Sequence, residues 1–188
     1  MRAICVLCLS LVAVSAIADE LLWEKLRRDA NMIVLMRNSE SNGNRDGGNM
    51  LAWDASGKCE GESTLTAEGK SQAKRIGVAF AEHGIRPTVI SSPMCRCTET
   101  AQIAFGKYST DPDLRQKPTA DALGQEMFQA RASELLRQNR GNAPIVFVNH
   151  RPNIDSLTME LIDIGELLIG SVTEDGEVEV MGKIRVEP

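Results

Sequence analysis

The chain has 188 residues, 43% of them hydrophobic and 25% charged, with a formal net charge of −5 and a pI near 5.2. That length suits one compact domain with a sizeable core, and the acidic balance excludes a general attraction to nucleic acid or to an anionic membrane, so any anion site must be local. Aromatic residues make up only 4%, too few for the stacking platforms that grip single-stranded nucleic acid.

The chain opens on an address. Arg2 supplies a positive start, Ala3 to Ile17 is apolar except for Ser10 and Ser15, and Ala16-Ile17-Ala18 fits a small-residue cleavage site. The apolar run is about fifteen residues, shorter than the roughly twenty that span a bilayer, and Asp19 and Glu20 follow it. The reading is a signal peptide over 1–18, a domain over 19–188, a secreted or periplasmic location, and no stable membrane insertion after signal removal.

Asn31 to Arg37 is a continuous apolar run too short for a helix, which predicts a strand buried on both faces. The segment 38–64 is rich in Ser, Asn, Gly and Asp and predicts a long functional loop. Thr66 caps a predicted helix running to about His83, where His83-Gly84 ends it; His83 is explained by that helix end and reads as structural. Thr88 to Ser91 is a second strand, leading into a helix with Pro93 at its first position. A third helix runs from about Asp121 to Gln138, and Ile145 to Asn149 is a third buried strand. Asn153 to about Ile162 is predicted helical, and Leu167–Thr173 with Glu177–Val186 forms a hairpin turned at Asp175-Gly176. Alternating strands and helices give a three-layer α/β fold, a mostly parallel sheet flanked by helices, with a C-terminal β-hairpin.

Cys5 and Cys8 leave with the signal, and Cys59, Cys95 and Cys97 remain. Cys95 and Cys97 stand two apart on one predicted helix and point to different faces, so a bridge from Cys59 to either is easier than one between them; three unpaired buried thiols are the alternative. The spacing is not that of a zinc site, and no metal or other cofactor is expected.

Three basic residues stand where ligands gather in open α/β sheets, at the carboxyl ends of strands. Arg37 ends the first strand, Arg96 lies in the first turn of the second helix, and His150 follows the third strand. Two guanidinium forks, an imidazole and the free N–H groups of a helix start make a cradle for a phosphate dianion.

Four segments in order resemble the histidine phosphatase superfamily, in its phosphoglycerate mutase-like branch. Arg37 to Asn44 corresponds to the motif R-H-G-E-S-x-x-N, with Asn38 and Ser39 in place of histidine and glycine. Leu65-Thr66-Ala67-Glu68-Gly69 with Gln72-Ala73, Ser91-Ser92-Pro93 with Arg96 and Thr100-Ala101, and Val148-Asn149-His150 correspond to three further motifs. The export signal and the length are also similar to periplasmic members such as the lipopolysaccharide core heptose phosphatases. The resemblance implies two-step phosphoryl transfer through a phosphohistidine, with a carboxylic acid protonating the leaving alcohol. It places Asn38 at the nucleophile position and implies Arg37, Arg96, His150, Ser41 and Asn44 as phosphate ligands. Asp121 and Glu126 are candidates for the acid, with Glu40 a third.

An amide nitrogen has its lone pair delocalised into the carbonyl, so Asn38 hydrogen-bonds a phosphate without accepting it covalently. The leading reading is a protein that binds a phosphorylated small molecule or phosphate with catalysis impaired, and no nucleic acid as partner. One alternative is an active phosphomonoesterase using His150 or an activated water; another is a non-catalytic envelope interaction protein without a ligand. Exported material is expected to begin at Asp19. Intact-mass analysis of the periplasmic fraction checks this, and recovery of only the full-length chain overturns it.

Overall fold

The computed structural model describes residues 18–43 and 50–186. Residues 1–17 of the expected signal peptide 1–18 and the ligand candidate Asn44 lie outside the described residues. Six strands form one sheet in the order β3-β2-β4-β1-β5-β6: β1 (Met32–Arg37), β2 (Thr88–Ser91), β3 (Ser109–Thr110), β4 (Ile145–Asn149), β5 (Glu166–Val172) and β6 (Val178–Arg185). The pairs β1/β4, β2/β4 and β2/β3 are parallel, while β1/β5 and the C-terminal hairpin β5/β6 are antiparallel.

Strand alternation explains why β1 and β4 read as unbroken apolar runs. Met32, Val34 and Met36, with Val146 and Val148, face a layer containing Trp23, Ile76, Phe80 and Ala101. Ile33, Leu35, Ile145 and Phe147 face the opposite layer, with Phe128, Ala132, Leu136 and Ile154. The first layer consists of α1 (18–28), α2 (Ala67–Glu82) and α3 (Cys95–Phe105), the second of α4 (Ala122–Asn139) and α5 (Arg151–Thr158). Among the described residues no helix is long and apolar enough to cross a membrane.

Several expectations shift. Helix α1 and the two-residue strand β3 are additions to the sequence reading. Helix α3 begins at Cys95 with Met94 as its cap, so Pro93 stands outside the first turn. The expected helix 153–162 is instead Arg151–Thr158, because Pro152 occupies its first turn and Met159 turns left-handed at φ 57°. Thr66 caps α2 as expected, its side chain accepting from the Gly69 N–H, and His83 closes it, bonding the Ala79 carbonyl at 2.8 Å and stacking on Trp23.

Helices α2 and α3 approach through Gly77, where an added Cβ would lie 2.3 Å from the Ala104 carbonyl oxygen. The Gly77→Ala substitution gains up to about 1 kcal/mol of helix propensity, but it forces backbone apart, and overpacking of this kind costs about 1–3 kcal/mol. A net loss is expected, read as a lower urea midpoint at unchanged slope; a midpoint at or above that of the parent chain overturns the close-packing argument.

Candidate functional site

The same alternation that builds the core distributes the site residues. Arg37 and Asn149 are register partners at the ends of β1 and β4, on the α4/α5 side. Asn149 Oδ1 accepts there from Asn153 Nδ2 at 2.8 Å and from the His150 N–H at 2.9 Å, fixing the strand-to-helix turn. Asn38 and His150, one residue further on, fall on the α2/α3 side. The Asn38 N–H donates to the Asn149 carbonyl at 3.0 Å, extending the parallel ladder. Thus β1 and β4 each deliver two adjacent polar residues to the same edge.

Helix α3 supplies the third component. Arg96 is fully buried, and its Nη2 donates to His150 Nδ1 at 3.0 Å, to the Met50 carbonyl at 2.9 Å and to Gln116 Oε1 at 2.9 Å. Since a guanidinium only donates, His150 Nδ1 is the acceptor and the imidazole proton sits on Nε2, which donates to Ser92 Oγ at 2.8 Å. Burial first, then the charges of Arg96 and Arg37, hold the His150 pKa well below its usual 6.5, so the imidazole is neutral. Burial also lowers the pKa of both arginines, with repulsion from Arg151 the next cause at Arg37, yet a guanidinium this far above neutrality stays charged.

The motif residues without chemistry of their own position this group. Gly69 lets the loop after β1 lie against α2, since a Cβ there would meet the Glu40 carbonyl oxygen at 2.0 Å. Gln72 Oε1 accepts from the Glu40 N–H at 3.3 Å. Thr100 receives the Ser39 N–H at 3.0 Å and donates to the Arg96 carbonyl at 2.7 Å, tying the Asn38 loop to α3. Ser41 is buried and bridges to Leu65. Sequence reasoning missed Asn149, Asn153, Ser92 and Gln116 as site-building residues; only their closeness to the strand ends or to Arg96 by fold marks them.

The carboxylates are distributed differently from the expectation. Asp121 caps α4, accepting from the Gly124 N–H at 2.9 Å, and both it and Glu126 are exposed. Glu40 Oε1 accepts from Thr66 Oγ1 at 2.9 Å. A carboxylate at the site is Glu62, whose Oε2 accepts from the Cys95 N–H at 2.8 Å and whose charge acts on Arg96. It occupies the first donor of α3, where the sequence suggested a phosphate would find free N–H groups. Cys59 pairs with Cys95, leaving Cys97 buried as a free thiol, its Sγ 3.7 Å from His150 Nδ1. Burial pushes that thiol up to about 12, which makes it a poor nucleophile. Among the described residues no group of three or more His, Cys, Asp or Glu is arranged to hold a metal.

The neutral His150 has a consequence for stability. In the unfolded chain it takes a proton as pH falls through about 6.5, but in the folded chain it does so only much lower, so the unfolded state binds more protons in between and stability falls with falling pH. Without added anion, the urea midpoint is expected to drop between pH 7.5 and 5.5, by up to about 1.4 kcal/mol per pH unit from this group. In His150→Gln the slope with pH should flatten; an unchanged slope means that His150 is not the titrating group.

The family model for the histidine phosphatase superfamily, branch 1, matches residues 33–128. No curated protein matches the sequence significantly. Among solved structures, phosphoserine phosphatase from Entamoeba histolytica in complex with 3-phosphoglyceric acid aligns with a TM-score of 0.59 at 17% identity, over 81% of this chain and 95% of that one. The product of an open reading frame of Mycobacterium tuberculosis aligns at 0.62 and 17%, over 83% and 97%. The protein histidine phosphatase SixA in complex with tungstate aligns at 0.53 and 16%, over 82% and 96%. At such identities these likenesses carry the fold. The family match covers more than half of the chain, and the chain belongs to the histidine phosphatase superfamily.

Proposed function

We propose that the chain binds phosphate, or the phosphoryl group of a phosphomonoester, between Arg37, Arg96 and His150, and that Asn38 contacts this group without accepting it. The observation that carries the reading is a set of unpaired buried polar atoms: Arg37 Nε, Arg96 Nε and Nη1, Ser39 Oγ and Asn149 Nδ2 have no hydrogen-bond partner among the described residues. A buried polar group left unsatisfied costs about 1–3 kcal/mol, so several at one strand edge approach the whole stability of a domain, about 5–15 kcal/mol. An oxyanion offers the acceptors these donors lack, and its charge answers two guanidinium groups that have no ion pair among the described residues. Membership of a phosphatase family and the tungstate and phosphoglycerate named with two structural neighbours support the same ligand chemistry.

In this reading Arg96 and Arg37 hold the equatorial oxygens, and neutral His150, its Nδ1 held by Arg96, turns its Nε2–H from Ser92 to an oxygen of the anion and stabilises charge there. Asn38 stands where the family places its nucleophile. Its Nδ2 donates to the Ser39 carbonyl at 2.8 Å, and its nitrogen lone pair is unavailable for attack on phosphorus. The substitutes are no better placed. Both nitrogens of His150 are engaged by Arg96 and Ser92, and the Cys97 thiol is protonated. The binding elements remain and the phosphoryl acceptor is lost, in a protein whose leader suggests export.

The forward replacement tests this. Asn38→His, alone or with Ser39→Gly to make room for the imidazole, is expected to raise hydrolysis of an activated aryl phosphate at least about a hundredfold, the lower scale for restoring a chemical group, and to give an acid-labile phosphoenzyme on rapid quench. In the parent chain, calorimetry should find one tungstate site that Arg96→Ala weakens strongly and exposed Lys70→Ala does not. Starting-rate hydrolysis by both replacements, in folded protein that binds tungstate, leaves a binding protein; equal affinity across the parent, Arg96→Ala and Lys70→Ala means that the pocket is misassigned.

A further inference from the structure

We propose that the Cys59–Cys95 disulfide is a thiol switch on access to the Arg96 pocket: when formed it holds the segment 50–62 down as a strap across the guanidinium, and when reduced it lets the strap lift. The anion admitted is the one inferred above; the motion of the strap stands independently of that reading.

The strap is held at four places. At its start the Met50 carbonyl sits 2.9 Å from Arg96 Nη2. Trp53 lies under the guanidinium of Arg115, 5.0 Å from ring centroid to Cζ, and the neighbouring Gln116 reaches the same Arg96 nitrogen. Two separate loops therefore meet above one atom and clasp each other beside it. At the end of the strap, Glu62 binds the Asp54 N–H at 2.7 Å with one oxygen and the Cys95 N–H at 2.8 Å with the other, bracing the strap internally and against the start of α3. Between these points the disulfide fixes Cys59 to Cys95, the residue next to Arg96. Arg96 is 0%, His150 1% and Asn38 3% exposed, and the strap lies directly on Arg96.

The disulfide decides whether the strap stays. The remaining ties are hydrogen bonds and one stacked cation in a surface loop, each exchangeable with water at small net gain, and they act together only while the chain between them is held in place. Cys59 also sits at φ 64°, a left-handed conformation unfavourable for a residue with a side chain, which relaxes once the bond is cut. Cys59 is partly exposed and Cys95 is buried. A thiolate of a dithiol attacks Cys59 Sγ, Cys95 Sγ leaves and takes a proton, and the second thiol of the reagent resolves the mixed disulfide, releasing Cys59 as a thiol. Two electrons and two protons pass from the dithiol to the protein, and the dithiol becomes a disulfide.

Cys97 provides a reporter that needs no ligand, since its sulfur lies against the His150 ring inside the covered site. Iodoacetamide labelling of Cys97, read by peptide mass spectrometry, is compared in the oxidised chain, the same chain reduced with dithiothreitol, and the Cys59→Ser/Cys95→Ser variant. Labelling at least about tenfold faster in the last two is expected, together with tungstate affinity raised several-fold, because a closed conformer no longer competes with the ligand. The Arg115→Ala/Gln116→Ala variant, with its disulfide intact, should label faster than the oxidised parent, which separates release of the strap from general loosening. Equal protection of Cys97 in oxidised and reduced protein overturns the switch. Loss of the near-UV dichroism on reduction and in the serine variant also overturns it, making the bond a folding staple. Equal labelling with tungstate bound equally in both states sinks the switch and leaves the phosphate reading; faster labelling with no tungstate bound in either state does the reverse.

Discussion

A guanidinium with no access to water governs the organisation of this protein. Removing a charge from solvent carries a desolvation penalty of several kcal/mol, offset only where donors find acceptors. Among the described residues Arg96 meets that requirement on one nitrogen, with a carbonyl from one loop, an amide from another and the imidazole of His150. The carboxylate of Glu62 is spent on backbone N–H groups. The charge is therefore compensated at a distance and directly solvated by neutral acceptors, which leaves the rest of the fork available to an external anion. Loops 50–62 and 112–117 and the β4–α5 turn all meet at that one side chain, which α3 carries.

Much of the frame was legible in the sequence because burial on both faces of a sheet leaves a plain mark. Ile33 to Met36 and Ile145 to Val148 are apolar without interruption because neighbouring side chains enter opposite layers. Thr66 and Asp175-Gly176 were readable for local reasons, a cap and a turn. Helix α1 carried no such mark, since only Trp23 and Leu26 are buried core residues in a charged stretch beside the apolar leader.

What escaped the sequence reading depends on contacts between distant residues. Nothing local to α3 announces that Glu62 will occupy its first N–H, and nothing local to Cys59 chooses Cys95 over Cys97. The choice follows from the helix: Cys97 points into the core toward His150, and Cys95 faces the loop. The acid candidates Asp121 and Glu126 came from their place between the Arg96 helix and the His150 strand, with no local motif to pick one, and position in the chain says little about position in space. The segment is anchored instead by Asn153, whose amide donates to the Leu114 carbonyl at 3.2 Å.

The sheet order also bears on how the chain reaches this state. Strand β1 has β4 and β5 as its neighbours and β2 on neither side, so the first strand made waits for the fourth before it has a partner and for the fifth before both its edges are paired. Pairing of this kind closes long loops before it gains contacts, and it slows folding. Arg37 and Asn149 come into register only when β4 has docked, so the proposed cradle does not exist in a product of synthesis that ends before β4. The proposed anion binding is in this way closed to a chain that has not yet delivered β4, and such a chain is unable to use the ligand to stabilise itself.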